Sequence, residues 1–278
     1  MDEVNLQHLA ISAGLSGCMI ALAVVARSLS FSGALAGWVV GFLVLGFGGV
    51  ALAAPLVAFF VTSSVLSRLP GRERSGAAQE RGSRRDAVQV LANGGVPAAL
   101  AVACALHPSS RLLAMLCLAA LAAANADTWA TEIGSRAGRR PRLVSTWRPV
   151  EPGVSGAVSL AGILAALLGA AAVVAVGVAL WPHGTGILFG RPDIAEALAL
   201  AWAGFLGSYL DSLLGASVQA TWRCGVCGCT TERRTHCGAP AARVRGVRWI
   251  DNDVVNILSV AGAVLIAWAL LHGFAYPR

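Results

Sequence analysis

The sequence contains no lysine, so its formal charge of +7 comes from 21 arginines set against 14 acidic residues. A chain without lysine cannot carry the phosphate-binding loop that ends in Gly-Lys-Ser or Gly-Lys-Thr. It also lacks the residue that forms Schiff bases with carbonyl substrates. The arginines lie in loops beside apolar runs, where membrane topology accounts for them. We therefore expect no nucleic-acid partner, although the chain is basic.

Charged residues of both signs are scarce, at 13% of the chain, whereas hydrophobic residues make up 56%. The mean hydropathy is +0.70, outside the usual range of soluble proteins. A bilayer core about 30 Å thick needs roughly 20 apolar residues per helix. The sequence therefore predicts an all-α, polytopic helical integral membrane protein with one membrane domain over 1–278. Candidate spans lie at 9–27, 33–50, 51–67, 87–107, 111–128, 155–181, 194–214 and 254–274.

The number of helices depends on the second and third of these segments. Gly46, Gly48, Gly49 and Pro55 lie at or near their junction. These residues mark either a hairpin between two helices or one broken helix. The prediction is thus about seven or eight transmembrane helices.

Most arginines fall in three loops, at 68–86, 136–153 and 216–250, the last with a cysteine-rich insert at 224–237. With eight spans the three loops share one side of the membrane, and Arg111 and Arg191 lie on the other. Because basic loops are retained in the cytoplasm, we expect cytoplasmic loops and both termini outside. The expected location is a bacterial inner membrane.

Polar side chains gather at four helix ends, all on the cytoplasmic side of this arrangement. Ionisable residues at such positions are costly and commonly serve a site. A helix cap explains any one cluster, but four in one layer predict a binding site. The clusters are Asp86, Gln89 and Asn93; Asn125, Asp127, Thr131 and Glu132; Ser208, Asp211 and Gly215; Asp251, Asp253 and Asn256.

The chemistry of these clusters suits a metal ion and a phosphate. Carboxylate and amide oxygens are hard ligands for Mg²⁺, which is typically held by one or two carboxylates together with substrate phosphates. The neighbouring arginines are natural partners for phosphate oxygens. Gly153 and Gly156 lie at the start of the sixth predicted span, and the N-terminus of that helix is suited to receive an anion.

A different set of ligands occurs in the third loop, in RCGVCGCTTERRTHC. Cys224, Cys227, His236 and Cys237 are the expected ligands of a zinc ion. Cys229 is an alternative fourth ligand, because the adjacent His236 and Cys237 do not easily bind one ion together. Free thiols are the other interpretation, and disulfides are disfavoured on a cytoplasmic loop.

Five motifs in order give the chain a specific resemblance. They are RDAVQVLANGGV, ADTWATEIG, GSYLDSLLGA, the loop from C-x-x-C to HCG, and DNDVVN. Together they resemble the Transmembrane protein 19 family, which includes the plant phytyl-phosphate kinase of tocopherol synthesis. The stretch from Asp127 through Arg139, Arg140 and Gly156 is also similar, more loosely, to polyprenol kinases and lipid cytidylyltransferases, which use CTP and Mg²⁺.

The resemblance implies a Mg²⁺-dependent membrane phosphotransferase that converts a prenyl monophosphate, such as phytyl or geranylgeranyl phosphate, into the diphosphate. CTP is the expected donor, and membrane lipids surround the protein. In this hypothesis three aspartates hold one or two Mg²⁺ ions, three further side chains complete or orient that shell, and arginines hold the triphosphate. The metal ligands are Asp127, Asp211 and Asp253; Glu132, Asn93 and Asn256 support them; Arg139, Arg140 and Arg148, with Gly153 and Gly156, bind phosphate.

Two other functions remain open at this point. A cytidylyltransferase that makes a CDP-lipid would use the same metal and nucleotide groups. An ion or lipid transporter would instead carry acidic residues at mid-bilayer depth and on both sides of the membrane.

Overall fold

The structure is a computed structural model that describes residues 6–70, 84–136, 141–151, 153–182 and 190–275. Over these residues the chain forms seven helices, each long and apolar enough to cross a membrane. This confirms the predicted all-α polytopic class. The helices are α1 Leu6–Val25, α2 Phe31–Arg68, α3 Ala87–Leu106, α4 Arg111–Gly134, α5 Leu160–Ala179, α6 Ile194–Ser217 and α7 Asn252–Ala275.

Helix α2 folds back on itself. A straight helix of its 38 residues would be about 57 Å long, yet its two ends meet. The Arg68 guanidinium at its C-terminus donates to Ser28 Oγ at 2.6 Å, and Ser30 caps the N-terminus of the same helix. The reversal occurs at Gly49, whose φ of 67° and ψ of −169° are non-helical. Only glycine adopts such a conformation readily.

The two halves of α2 therefore correspond to the second and third predicted spans. Of the two alternatives for this stretch, the structure has the hairpin. If the two halves of α2 are counted separately, the described residues contain eight apolar segments. The two ends of the α2 hairpin lie on the same side of the bundle. That side also holds the N-terminus of α3, since the Ser30 amide donates to the Arg85 carbonyl at 3.0 Å.

Helix α4 forms the centre of the bundle. All its residues from Ala114 to Ala126 are buried, and most of them are alanine. Glycines on neighbouring helices allow close approach to it: a Cβ added to Gly204 would lie 2.7 Å from the Ala122 Cβ. Small residues at such contacts let membrane helices pack with their backbones close together.

Two predicted boundaries were wrong. The sixth span was predicted from 155, but α5 begins at Leu160, because Gly156 has a left-handed φ of 80° and the next two residues form a strand. The fifth span was predicted to end at 128, but α4 continues to Gly134. Asp127 and Glu132 consequently lie inside its last two turns.

Short strands occur in two loops, and the hydropathy pattern did not predict them. β1 (Arg142–Leu143) pairs antiparallel with β2 (Ala157–Val158) before α5. Between α6 and α7 a ribbon of four strands has the order β4-β3-β6-β5. Its strands are β3 Thr221–Cys224, β4 Thr230–Thr231, β5 Thr235–His236 and β6 Ala239–Arg245.

Candidate functional site

One end of the bundle encloses a cavity of about 600 Å³. It lies where α4 and α6 end, where α3, α5 and α7 begin, and where the two ends of α2 meet. The helix N-termini bring unpaired backbone amides and a partial positive charge to this region. Part of the polar layer predicted from the sequence therefore lines one cavity.

Two aspartates of different helices line the cavity, Asp127 from α4 and Asp211 from α6. Both are partly buried. Asp211 Oδ2 accepts from Ser259 Oγ of α7 at 3.3 Å, which orients the carboxylate. Neither residue lies at a helix N-terminus, so capping does not account for them. The position of these two carboxylates in the cavity wall is suited to contact with a group bound in the cavity.

The other two acidic clusters begin with residues that are helix caps. Asp86 forms a capping box with Gln89 at the start of α3. Asp251 Oδ1 accepts from the amides of Asp253 and Val254, each at 3.1 Å, at the start of α7. For these two aspartates the ordinary structural role of a cap is sufficient.

Glu132 lines the cavity and joins two elements. Its Oε1 accepts from Ser67 Oγ at 2.8 Å, and its Oε2 forms an ion pair with Arg136 at 2.6 Å. Arg136 also donates to the Leu69 carbonyl at 3.2 Å. These contacts fix the end of the α2 hairpin against α4. Glu132 is therefore held in a fixed position in the cavity wall.

Amide side chains from α3 and α7 complete the polar wall. Asn93 of α3 and Asn252 and Asn256 of α7 line the cavity. Asp253, predicted as a metal ligand, does not belong to its described lining. The reason is helix geometry: Asn252 and Asn256 are four residues apart and share a face, whereas Asp253 is turned about 100° from Asn252.

The cavity's positive charge comes from arginines that the sequence analysis did not assign to the site. Arg27, Arg68 and Arg85 line it. The backbone of Arg85 is fixed by bonds with Ser28 and Ser30, and its guanidinium lies 5.7 Å from the ring centre of Phe60. Burial lowers the pKa of Arg85, and nearby Glu132 partly offsets this. The sequence feature that could have indicated this position is that Arg85 directly precedes Asp86, the cap of α3.

The arginines predicted to bind phosphate are not brought together with these groups. Arg148 is exposed on the loop between β1 and β2 and is not among the described residues of the cavity wall. Arg139 and Arg140 lie outside the described residues. The two glycines predicted to bind phosphate, in contrast, do line the cavity. Gly153 and Gly156 have left-handed φ values of 89° and 80°.

The loop that carries these glycines leads into α5. Ser159 caps that helix, its Oγ accepting from the Gly162 amide at 3.1 Å. Ser155 Oγ donates to Gln219 Oε1 at 2.6 Å, and Gly156 packs against Ala216 at the end of α6. The loop therefore presents backbone groups to the cavity from a fixed position.

The cysteine-rich insert lies in the ribbon, and the structure gathers the four residues predicted as zinc ligands. The ligand atoms of Cys224, Cys227, His236 and Cys237 all lie within 4.8 Å of one another. A hydrogen bond from the Cys227 amide lowers the pKa of the Cys224 thiol, and the interaction with Cys227 raises that of Cys237 to about 11. Cys229, the alternative ligand, is not part of this group.

Comparison with known proteins places these features in a family. The family described as Integral membrane protein DUF92 matches residues 14–264. Protein PGR of Arabidopsis thaliana is 33% identical over 255 residues, covering 84% of this chain and 86% of that protein. An uncharacterized membrane protein of Methanocaldococcus jannaschii is 32% identical over 200 residues, covering 72% and 79%.

A more distant relative is Protein VTE6, chloroplastic, of Arabidopsis thaliana. It is 25% identical over 245 residues, which cover 86% of this chain and 64% of the relative. No solved structure matches the chain at a significant level. The family match spans seven helices and the cavity they enclose, so the chain belongs to the integral membrane protein family DUF92.

Proposed function

We propose that this protein is a Mg²⁺-dependent phosphotransferase that moves the terminal phosphoryl group of CTP to a prenyl monophosphate. The observation that carries the proposal is the cavity itself, in which Asp127 and Asp211 share one wall with Arg68 and Arg85. Carboxylates for a metal and guanidinium groups for phosphates are the two requirements of phosphoryl transfer. The resemblance to the Transmembrane protein 19 family and the similarity to Protein VTE6 support a prenyl-phosphate acceptor.

The carboxylate and amide oxygens around the cavity are ligands of the type that Mg²⁺ prefers. Asp127 and Asp211 would hold the ion, with Asn252 and Asn256 as neutral oxygen donors beside them. Sites of this type use one or two carboxylates and leave the remaining positions to water and substrate phosphates. A Mg²⁺ ion held by these residues would supply neutralisation of the phosphate charge. Glu132, already paired with Arg136, keeps the end of α4 in position.

The arginines bind and orient the phosphate groups. Arg85 is suited to this because its backbone and ring contacts hold the guanidinium before substrate arrives, which reduces the entropy lost on binding. The loop at Gly153 and Gly156 and the N-terminus of α5 add backbone amides for the same anion. These groups stabilise the charge that spreads over the transferred phosphoryl group.

The acceptor needs an apolar path for its tail beside this polar wall. Ile163 and Ala166 of α5 and Phe205 of α6 line the cavity next to the polar residues. In the reaction a monophosphate oxygen of the acceptor forms a bond to the γ-phosphorus, and the bond from that phosphorus to the bridging oxygen breaks, so that CDP leaves. The acceptor oxygen is already ionised, and no strong general base is required.

The cavity is proposed to open toward the cytoplasm of a bacterium, with the protein in the inner membrane. Arginines surround the cavity end of the bundle, and basic residues favour the cytoplasmic side. At the other end Arg111 pairs with Glu196. Between the ends α4 is buried among apolar residues from Ala114 to Ala124. That apolar centre argues against a transport path through the described bundle.

The test is to incubate detergent-purified protein with Mg²⁺, geranylgeranyl or phytyl monophosphate, and CTP, ATP, GTP or UTP in separate reactions. Mass spectrometry then identifies both products. We expect prenyl diphosphate together with CDP. A CDP-lipid together with pyrophosphate would instead establish the cytidylyltransferase. Absence of any product from monodisperse protein would count against both enzymes.

Replacing Arg85 with glutamine is expected to lower kcat/KM by about 10- to 100-fold, because a hydrogen bond to a charged group contributes roughly 1.5–3 kcal/mol. The backbone bonds of residue 85 with Ser28 and Ser30 do not depend on its side chain. The matched control is Arg84→Gln, since Arg84 is exposed. Steady-state kinetics with the prenyl monophosphate measure both variants, and equal losses would remove the assigned role of Arg85.

A further inference from the structure

The ribbon between α6 and α7 holds four metal-ligating side chains in a geometry that a single ion can occupy. His236 Nδ1 lies 3.4 Å from Cys227 Sγ and 3.2 Å from Cys237 Sγ. All four ligand atoms are within 4.8 Å of one another. A tetrahedral zinc ion with Zn–S bonds of about 2.3 Å and Zn–N bonds of about 2.0 Å places its ligands roughly 3.5–3.8 Å apart.

The backbone explains how adjacent residues reach the same point. In a strand, neighbouring side chains point to opposite faces, so His236 and Cys237 could not both face one ion if the strand continued through them. Here β5 ends at His236, and Cys237 has a left-handed φ of 53°. This change of conformation turns the Cys237 thiol toward the same side as the imidazole. Gly238 follows with a φ of 73°, and β6 begins at the next residue, Ala239.

The opposite half of the group comes from the turn after β3. Cys224 is the last residue of that strand, and its sulfur accepts from the Val226 amide at 3.4 Å. Backbone amides directed at the sulfur stabilise the thiolate form, which is the form that binds metal. No disulfide links the described cysteines.

We propose that Cys224, Cys227, His236 and Cys237 bind one zinc ion, and that this ion holds the ribbon against the cavity loop. Four protein ligands leave no open coordination position, so the site is structural. The ribbon is too small to bury a substantial core: its longest strand is β6, with seven residues. Small units of this kind commonly depend on metal for their folding.

The base of the ribbon connects the metal cluster to the loop that lines the cavity. Arg245 of β6 donates to the Gly215 carbonyl at 2.9 Å and to the Ser155 carbonyl at 3.4 Å. Gln219, next to β3, accepts from Ser155 Oγ at 2.6 Å. β3 pairs with β6 from Thr221 opposite Arg245 to Cys224 opposite Ala241, so an ion that closes the far end at Cys224 also keeps the anchors at the other end in register. Loss of zinc should loosen the Ser155 segment.

The first test is elemental analysis of the full chain purified without chelators. We expect about one zinc per chain in the wild type and in Cys229→Ser, and a loss of at least tenfold in zinc content for Cys224→Ser and Cys237→Ser. Cys229 is the matched control because it lies in the same turn but outside the ligand group. Absence of zinc from the wild type, iron in its place, or equal loss in Cys229→Ser would overturn the proposal.

The second test uses the wild-type protein and does not depend on whether a cysteine variant folds. Hydrogen exchange is compared before and after zinc removal by a chelator, and again after zinc is restored. We expect faster exchange over 218–247 and also over 153–157, reversed by zinc. A change confined to 224–238 would overturn the connection to the cavity. Neither measurement requires turnover, so the result stands apart from the proposed phosphotransferase activity.

Discussion

Turnover of the prenyl-phosphate substrate is expected to fall on the order of 100-fold or more when Asp127 or Asp211 is replaced by asparagine. Each variant removes one negative charge from the cavity while preserving side-chain size. Loss of a single group that stabilises transition-state charge typically costs a factor of ~10²–10³ in kcat. Raising the Mg²⁺ concentration should restore part of the activity, because the remaining ligands still bind the ion weakly.

The matched controls are the aspartates that cap helices. Asp86→Asn and Asp251→Asn also remove one negative charge near the same end of the bundle. Asparagine caps helices about as well as aspartate, so both variants should keep their stability and near-normal turnover. Turnover is measured as CDP release, and size-exclusion elution establishes folding. Normal turnover in a folded Asp127→Asn or Asp211→Asn variant would remove that residue from the metal role.

Replacing Gly156 with alanine is expected to destabilise the protein and abolish most of its activity. The residue has a φ of 80°, and an added Cβ would lie 2.5 Å from the Cβ of Ala216 and 2.6 Å from its Cα. The strained backbone costs about 1–3 kcal/mol and the overpacking a similar amount. The loop cannot move away freely, since Val144 donates to the Gly156 carbonyl at 3.0 Å.

Thermal unfolding in detergent measures the effect of Gly156→Ala, and Gly95→Ala is its control. Gly95 lies inside α3, and a Cβ added there meets no atom within 4 Å. Alanine also favours a helix over glycine by roughly 1 kcal/mol, so the control should be at least as stable as the wild type. A Gly156→Ala protein with wild-type stability and turnover would show that the loop tolerates another backbone path.

Hydropathy alone was sufficient to predict the bundle, because spans of about 20 apolar residues have few alternatives to a membrane helix. Hydropathy did not decide whether the stretch that forms α2 is a hairpin or one broken helix. The contacts that reveal the hairpin join Arg68 to Ser28, which are distant in sequence and carry no periodic signal. The strands of the ribbon were missed because they are short: β4 and β5 have two residues each, too few to show an alternating pattern.

The sequence predicted which helix ends lie near one another, but it did not predict which side chains within one turn face the cavity. Asp127 and Asp211 line the cavity as expected. Asp253 does not belong to its described lining, whereas Asn252 does, and one residue of helix rotation separates them. Arg148 was favoured because it precedes the glycine loop. Arg85 reaches the cavity instead, through backbone contacts that link the start of α3 to Ser28 and Ser30.

The alanine-rich packing of α4 limits how the proposed lipid substrate could reach the cavity. Where backbones touch through glycine and alanine, as at Gly204 and Ala122, there are no long side chains that could change rotamer to make room. Close-packed interiors resist gradual deformation and shift only between discrete arrangements. Entry of a lipid through the centre would require neighbouring helices to separate as whole units. At the cavity end, by contrast, single hydrogen bonds such as those of Arg68 with Ser28 and of Ser67 with Glu132 join α2 to its neighbours, and breaking them does not require whole helices to separate.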